Sequence, residues 1–340
     1  MSLNKEETER YSRQILLKEI GEEGQIKLSK SFVIIIGCGA LGTTIANNLV
    51  RAGVGQIKII DRDIVEMSNI QRQNLFDERD IGLPKAWTAV KRLQKVNSKI
   101  KINPVVEDLN NTNIEDIIEG ADLIIDGTDN METRFLINDA CIKHKIPWIY
   151  GGAIGTHGMS MNIIPNDTPC FRCVFPNLPD AGALPTCDTA GVLNTIPPII
   201  ASIESTEALK LLLGKTINNK LLIYDVWTHD FQSIKIKKNN ECECCVKRNF
   251  EFLNAKKKTR IVSLCGGNAV QITPAKTMIL SFEHLAQKLR KSGKVEVTEI
   301  ILKFNVDSYQ LNIFKSGRAI VYGTNDEKTA KSLYAKYVGL

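Results

Sequence analysis

The chain alternates short apolar runs with stretches whose apolar residues recur at helical spacing. Residues 31–36 are apolar and largely β-branched and are followed by Gly37, which predicts a buried strand. Ile45, Leu49 and Val50 then share one helical face. Further apolar runs predict strands at 56–60, 101–106, 123–126 and 147–150. Strands that alternate with helices predict an α/β fold, a Rossmann-like and mostly parallel sheet flanked by helices.

The pattern changes in the second half of the chain. Residues 174–192 are rich in Pro, Gly and Ala and fit neither period, so they predict a long and therefore functional loop. A helix is predicted at 199–213 and strands within 220–237. A lysine-rich, weakly patterned stretch follows at 254–258. It predicts a boundary between a domain of residues 1–250 and a second domain of residues 259–340.

The second domain is predicted to be a small α+β module. Its predicted elements are strands at 261–264 and 295–304, helices at 282–291 and 326–337, and a hairpin over 309–322 that turns at Ser316-Gly317. Thr324 or Asn325 is the expected cap of the last helix. From Lys256 onward there are 15 Lys and Arg against 6 Asp and Glu, so the basic excess of the chain lies here. This charge either forms a solvated surface or steers an acidic protein partner or a nucleic acid towards the protein.

The amino-acid composition limits the classes of protein to which this chain can belong. The chain is 43% hydrophobic and 24% charged, as globular domains are. It has no apolar run near the roughly 20 residues needed to cross a bilayer, and its first residues are polar. We therefore expect a cytoplasmic protein that does not enter a membrane and is not primarily a nucleic-acid binder. Its 9 cysteines are then metal ligands, reactive thiols or core residues rather than disulfides.

A glycine-rich turn follows the first predicted strand. Gly37, Gly39 and Gly42 fit the pattern G-x-G-x-x-G, with Ala40 inside the turn. Asp61 ends the second strand, where a carboxylate can accept hydrogen bonds from ribose hydroxyls. The segment predicts nucleotide binding at a helix N-terminus. The motif alone fits an NAD-dependent oxidoreductase as well as an ATP-using enzyme.

The residues downstream favour a triphosphate. A polar stretch after Asp61 carries Ser68, Asn69, Arg72, Gln73 and Lys85. Arg72 and Lys85 could neutralise phosphate charge, which a hydride carrier does not require. Another strand ends at Gly127-Thr128-Asp129-Asn130, where ligands bind in such sheets. A carboxylate at Asp129 is suited to Mg²⁺, which favours one or two carboxylates together with phosphate oxygens.

Two cysteine pairs have the spacing of a structural zinc site. They are Cys170 with Cys173 and Cys242 with Cys245. Four sulfur ligands leave no position for water, so the metal would be structural. Cys244 is a competing ligand on spacing alone. A further thiol, Cys187, lies in the predicted loop and is either a nucleophile or an inert small residue.

Residues ~10 to ~247 resemble the ThiF/MoeB/HesA family, the prokaryotic relatives of ubiquitin-activating enzymes. The resemblance is carried by RYSRQ at 10–14, the glycine turn, Asp61, SNIQRQ at 68–73, Lys85, GTDN at 127–130, TC-x-x-AGV at 186–192 and both cysteine pairs. The family's activity is the adenylylation by Mg-ATP of the terminal Gly-Gly carboxylate of a ubiquitin-like sulfur carrier. Ala40 departs from the glycine common in the family. Because contacts at this position are expected to come from the backbone, Ala40 is still predicted to bind the cofactor.

The resemblance also implies roles and partners. Arg13 would reach into the partner subunit's site of a homodimer, and Asp61 would bind ribose. Arg72 and Lys85 would bind phosphates, Asp129 would hold magnesium and Cys187 would act after adenylylation. A sulfur-donating desulfurase is a further expected partner. The pathway stays open among thiamine, molybdopterin, cysteine and tRNA thiolation. An oxidoreductase or a nucleotide-binding scaffold are the alternatives.

Overall fold

The computed structural model describes residues 3–180, 186–255, 260–264, 268–274 and 280–339. The chain forms two compact units, Met1–Ala255 and Lys256–Leu340. Within the described residues, every helix is too short or too polar to cross a bilayer. The predicted α/β class with a smaller C-terminal α+β module is confirmed.

The larger unit is built on one eight-stranded sheet. Its strands are β1 Phe32–Ile36, β2 Gln56–Ile60, β3 Lys101–Val105, β4 Leu123–Asp126, β5 Trp148–Ile154, β6 His157–Ile163, β7 Leu221–Asp225 and β8 Asp230–Ile234. They lie in the order β3-β2-β1-β4-β5-β6-β7-β8. The first five in this order pair in parallel, and β6, β7 and β8 extend the sheet in antiparallel fashion. The carboxyl ends of β1, β2 and β4 therefore meet at one edge, where ligands bind in such folds.

Helices cover both faces of this sheet. The helices are α1 Lys5–Arg10, α2 Ser12–Ile15, α3 Gly21–Leu28, α4 Ala40–Ala52, α5 Met67–Ile70, α6 Lys85–Val96, α7 Ile114–Ile118, α8 Met131–His144, α9 Phe171–Val174, α10 Cys187–Ala190 and α11 Ile196–Leu213. Alternate residues of β1 enter opposite cores because successive side chains of a strand point to opposite faces. Val33 and Ile35 join the core formed with α4, α6 and α11, while Ile34 and Ile36 join that formed with α7 and α8.

The structure corrects the sequence prediction at two places in this unit. The strand predicted at 147–150 continues to Ile154 and turns directly into β6, which the pattern did not predict. The stretch 174–192 is not a continuous loop, because α10 forms one helical turn within it, and residues 181–185 lie outside the described residues. Thr186 begins α10 by exchanging hydrogen bonds with Thr189, which is the local reason for the turn.

The smaller unit is an antiparallel sheet with two helices. Its elements are β9 Arg260–Leu264, β10 Ala269–Thr273, β11 Lys294–Val297, β12 Ile301–Val306, β13 Tyr309–Phe314, β14 Ala319–Tyr322, α12 Phe282–Leu289 and α13 Glu327–Tyr337. The strand predicted at 295–304 is a hairpin of β11 and β12, and β10 was missed. Asp326, not Thr324 or Asn325, caps α13 by accepting hydrogen bonds from the N–H groups of residues 328 and 329.

Candidate active site and cysteine cluster

The glycine turn packs too tightly for side chains at two of its three glycines. Gly37 has a φ of 91°, which favours glycine. A Cβ on Gly37 would overlap the carbonyl of Gly127, and a Cβ on Gly42 would overlap the carbonyl oxygen of Gly37. The backbone of the turn is therefore packed directly against the ends of β1 and β4.

Gly39 and Ala40 present the open side of this turn. A Cβ built on Gly39 would have its nearest neighbour 3.9 Å away, at the side-chain nitrogen of Gln73. Ala40 is the first residue of α4, so unpaired N–H groups of the helix N-terminus lie beside this space. Backbone N–H groups with room in front of them suit a phosphate.

Asp61 fixes the geometry of the turn. Its two carboxylate oxygens accept the N–H groups of Cys38 and Asp63, both at 2.6 Å. Burial, with the nearby charge of Asp63, raises the pKa of Asp61 to about 6, although Lys85 opposes the rise. Besides the ribose contact expected from the sequence, this carboxylate thus ties the end of β2 to the glycine turn.

Lys85 is a buried cation beside Asp61. Its backbone N–H donates to the carbonyl oxygen of Asp63 at 2.9 Å, and its Nζ lies 3.4 Å from Asp63 Oδ2. Burial opposes the charge on Lys85, but Asp63, Asp61 and Asp129 outweigh it and raise the pKa of the ammonium group. Lys85 therefore stays protonated at neutral pH. The structure thereby brings together Asp61, Lys85 and Asp129, which the sequence analysis selected separately.

The segment 68–73 forms α5 and the turn after it. The Asn69 side chain caps the start of α5 by accepting a hydrogen bond from the N–H of Glu66 at 3.3 Å. Arg72 donates to the carbonyl oxygen of Ser68 at 2.8 Å. Gln73 is 3% exposed, and its Oε1 has no hydrogen-bond partner among the described residues. A buried amide oxygen without a partner next to the open side of Gly39 fits a site that a polar ligand completes.

The loop after β4 carries Asp129 and Asn130. Asp129 is exposed, and its Oδ1 lies 3.4 Å from the side-chain nitrogen of Asn130. Asn130 also caps α8 by accepting the N–H of Thr133 at 2.9 Å. Mg²⁺ that binds phosphate oxygens also takes one or two carboxylates as ligands. Asp129 offers such a carboxylate, because it is accessible, lies at the carboxyl end of a parallel strand and is near Lys85.

Two predicted residues lie apart from this cluster. Arg13 is exposed on α2 and, among the residues that the structure describes, makes no hydrogen bond or ion pair. Leu16 and Leu17 beside it are 75% and 52% exposed. Cys187 is half-buried at the start of α10, with its Sγ 3.9 Å from the carbonyl oxygen of Ala153 in β5.

The four cysteines that were predicted as metal ligands lie close together in the structure. The Sγ atoms of Cys170, Cys173, Cys242 and Cys245 all lie within 4.8 Å of one another. The closest pairs are 3.5, 3.6 and 3.9 Å apart. Zinc at the centre of a tetrahedron with bonds of about 2.3 Å would separate its sulfur ligands by about 3.8 Å. A disulfide would need about 2 Å. The geometry fits zinc.

The structure also shows where the competing thiol of Cys244 lies. Cys244 is buried outside the cluster, where its Sγ accepts the side-chain N–H of Asn138 at 3.1 Å. Cys38 and Cys141 are buried as core residues, and Cys265 lies outside the described residues.

Sequence reasoning missed three residues around the site. Asp63 holds Lys85, Arg134 binds the loop before Asp129, and Glu204 is fully buried beneath Gly151. Asp63 could have been found from its place two residues after Asp61. No local pattern distinguishes Arg134 and Glu204 from ordinary helix residues, because their contacts are on other elements.

The chain is similar in sequence and in fold to several known proteins. A sequence model of the ThiF family matches residues 11–244. The sulfur carrier protein ThiS adenylyltransferase of Bacillus subtilis (strain 168) is 41% identical over 337 residues, covering 98% of this chain and 100% of that protein. The sulfur carrier protein adenylyltransferase of Thermus thermophilus is 37% identical over 253 residues, covering 72% and 93%. The crystal structure of E. coli MccB with ATP has a TM-score of 0.61 at 22% identity, covers 69% of this chain and 74% of that one, and shares the fold.

Proposed function

Because the chain belongs to the ThiF family, we propose that it uses ATP to adenylylate the C-terminal Gly-Gly carboxylate of a ubiquitin-like sulfur carrier protein, releasing pyrophosphate. The observation that supports this most is Lys85, a buried cation held by Asp63 next to the glycine turn. Adenylyl transfer from ATP needs such a charge beside the phosphates, and hydride transfer does not. The oxidoreductase alternative finds no support among the relatives, which are adenylyltransferases.

The reaction requires two anions, the carrier's carboxylate and a phosphate of ATP, to come together. The carrier's terminal carboxylate, with a pKa of roughly 3.5, is ionised at neutral pH and needs no general base. Lys85 and Arg72 neutralise phosphate charge, and the backbone at Gly39 and Ala40 receives the phosphates on the open side of the turn that Gly37 and Gly42 shape. Asp129 would hold Mg²⁺, which would supply further neutralisation of the phosphate charge.

The remaining polar residues hold the nucleotide in place. Asp61 accepts hydrogen bonds from the ribose hydroxyls, and Asn130 contacts the nucleotide beside Asp129. Ser68, Asn69 and Gln73 contact the nucleotide from the turn around α5. Gln73 is the best supported of these, because its buried Oε1 lacks a partner among the described residues.

We assign Arg13 to the partner subunit's site in a homodimer. Its exposure, with Leu16 and Leu17 exposed beside it, supports an interface at this surface. Arg13→Ala and Lys85→Ala should each abolish ATP–pyrophosphate exchange. A mixture that contains heterodimers should recover activity, since one of its two sites keeps both residues. No recovery in verified heterodimers would exclude the assignment in trans.

We propose that Cys187 acts after adenylylation, when a sulfur-donating desulfurase supplies sulfur to the activated carrier. The product would serve thiamine or molybdopterin biosynthesis. The four-cysteine cluster holds a structural zinc ion that fastens the segment after β6 to the segment after β8, since its ligands come from both.

The deciding experiment uses the ThiS protein of Bacillus subtilis as the carrier. We expect labelled pyrophosphate to exchange into ATP only when ThiS is present, and mass spectrometry to detect AMP on its C-terminus. ThiS without its last two residues is the control and should support neither. Absence of both signals with intact ThiS and other Gly-Gly carriers, together with reduction of a nicotinamide, would favour the oxidoreductase.

A further inference from the structure

Arg134 lies at the base of the loop that carries Asp129. It is 8% exposed, on the first turns of α8. Its Nε donates to Asp126 Oδ2 at 2.8 Å, and its Nη2 donates to the carbonyl oxygens of Thr128 at 2.7 Å and Gly151 at 3.0 Å. One guanidinium group thus joins the end of β4, the loop after it and the neighbouring strand β5.

The loop itself is folded around the same carboxylate. Asp126 Oδ1 accepts both the N–H of Thr128 at 2.8 Å and its hydroxyl at 2.6 Å. Arg134 holds the opposite oxygen of Asp126 and the carbonyl of Thr128. Thr128, which leads into Asp129, is therefore held at its N–H, its hydroxyl and its carbonyl oxygen. The exposed Asp129 carboxylate has no comparable anchor of its own beyond the 3.4 Å contact with Asn130 among the described residues.

The fork of an arginine is needed for these contacts. Its planar group donates in several fixed directions, whereas a lysine ammonium on a flexible stem presents one compact charge. A lysine at this position could keep the ion pair with Asp126 but could not reach both carbonyl oxygens in the same geometry. Burial opposes the charge on Arg134, but Asp126, with Tyr150 and Asp129, raises the pKa of the guanidinium group.

We propose that Arg134 is a positioning residue that fixes Asp129 relative to the glycine turn, and thereby sets how strongly Mg²⁺ strengthens ATP binding. The inference rests on the Mg²⁺ and ATP part of the proposed function and not on the carrier. Residues that orient metal ligands typically change metal affinity by about 10- to 100-fold when replaced.

The test measures ATP binding rather than turnover. Calorimetry gives the ATP dissociation constant with and without Mg²⁺, in metal-depleted buffer free of chelator so that the cysteine cluster keeps its metal. The ratio of the two constants is the magnesium effect. We expect Arg134→Lys to reduce this effect by about 10- to 100-fold while ATP affinity without Mg²⁺ stays near wild type.

A double-mutant cycle separates positioning from a general structural role. If Arg134 acts through Asp129, the Arg134→Lys/Asp129→Asn double variant should have the same magnesium effect as Asp129→Asn alone, within about twofold. Arg172→Lys is the matched control, since Arg172 is 6% exposed in the same unit and, within the described part of the chain, donates hydrogen bonds to Pro176 and Glu251. With its zinc content verified, this control should keep the wild-type magnesium effect.

Three results would overturn the inference: a wild-type magnesium effect in folded Arg134→Lys, losses that multiply in the double variant, or no magnesium effect in the wild-type protein. If Arg134→Lys does not fold, Thr128→Val replaces it, because it removes the 2.6 Å hydroxyl bond to Asp126 and keeps the shape of the side chain. An unchanged magnesium effect in that variant would equally overturn the inference. Carrier-dependent exchange is a separate measurement, so failure of the proposed reaction would not be mistaken for failure of this inference.

Discussion

Replacing Glu204 with glutamine tests whether a fully buried acid beneath the candidate site is protonated. Glu204 lies on α11 with its carboxyl group against Gly151, and it is 0% exposed. Neither of its oxygens has a hydrogen-bond partner among the described residues. Burial, with the charge of Asp126, raises the pKa of Glu204 well above its ordinary value, and Arg134 opposes the rise only in part.

The size of the effect follows from proton linkage. Above its ordinary pKa of 4.5, Glu204 keeps a proton in the folded state that the unfolded chain releases. Its contribution to stability is therefore fully present below that pH and is lost as pH rises towards the folded-state pKa, by about 1.4 kcal/mol per pH unit. Glutamine has a similar shape and cannot ionise. The variant should gain stability over wild type by about 1.4 kcal/mol between about pH 5.5 and about pH 6.5.

Urea unfolding of the intact chain at each pH measures this difference. Trp87, Trp148 and Trp227 are its only tryptophans and all belong to the larger unit, so their fluorescence reports the unit that contains Glu204. Other titrating groups are common to both proteins and cancel in the comparison.

Glu207, one turn further along the same helix, provides the matched control. Its carboxylate accepts hydrogen bonds from Lys210 Nζ at 2.6 Å and from the backbone N–H of Asn218 at 2.8 Å. Glu207→Gln should therefore cost about 1.5–3 kcal/mol, as the loss of hydrogen bonds to a charged group does. A Glu204→Gln variant whose stability relative to wild type did not change with pH would refute the reasoning, because the wild-type acid would then be ionised when folded.

Three further predictions concern the glycine turn and the cysteines. Gly42→Ala should cost about 1–3 kcal/mol of folding free energy and weaken ATP binding, since its Cβ would overlap the carbonyl oxygen of Gly37; an unchanged ATP dissociation constant would contradict this. Metal analysis should find zinc in Cys244→Ser but not in Cys242→Ser, and equal contents would contradict the assigned ligands. Cys187→Ser should keep pyrophosphate exchange and lose a later sulfur-transfer step, so lost exchange in a folded variant would exclude that role.

The sequence determined those features whose cause lies within a few residues. The glycine turn could be predicted because φ near 91° at Gly37 and the close approach at Gly42 depend on local backbone geometry. The strands at 56–60 and 123–126 were predicted with the observed bounds, since short apolar runs between turn residues define them. The two cysteine pairs followed from their fixed spacing, although spacing alone left Cys244 as a competing ligand.

Only the tertiary structure decided the contacts that depend on strand order. Asp63 meets Lys85, and Arg134 meets Gly151, because the sheet brings separate segments of the chain together at one edge. Cys244 and Cys245 are neighbours in sequence, yet only Cys245 points into the sulfur cluster. Long-range packing sets which groups become buried and which charges face them. The sequence therefore predicted groups whose signal is local, and the fold added Asp63, Arg134 and Glu204 and decided which groups lie together.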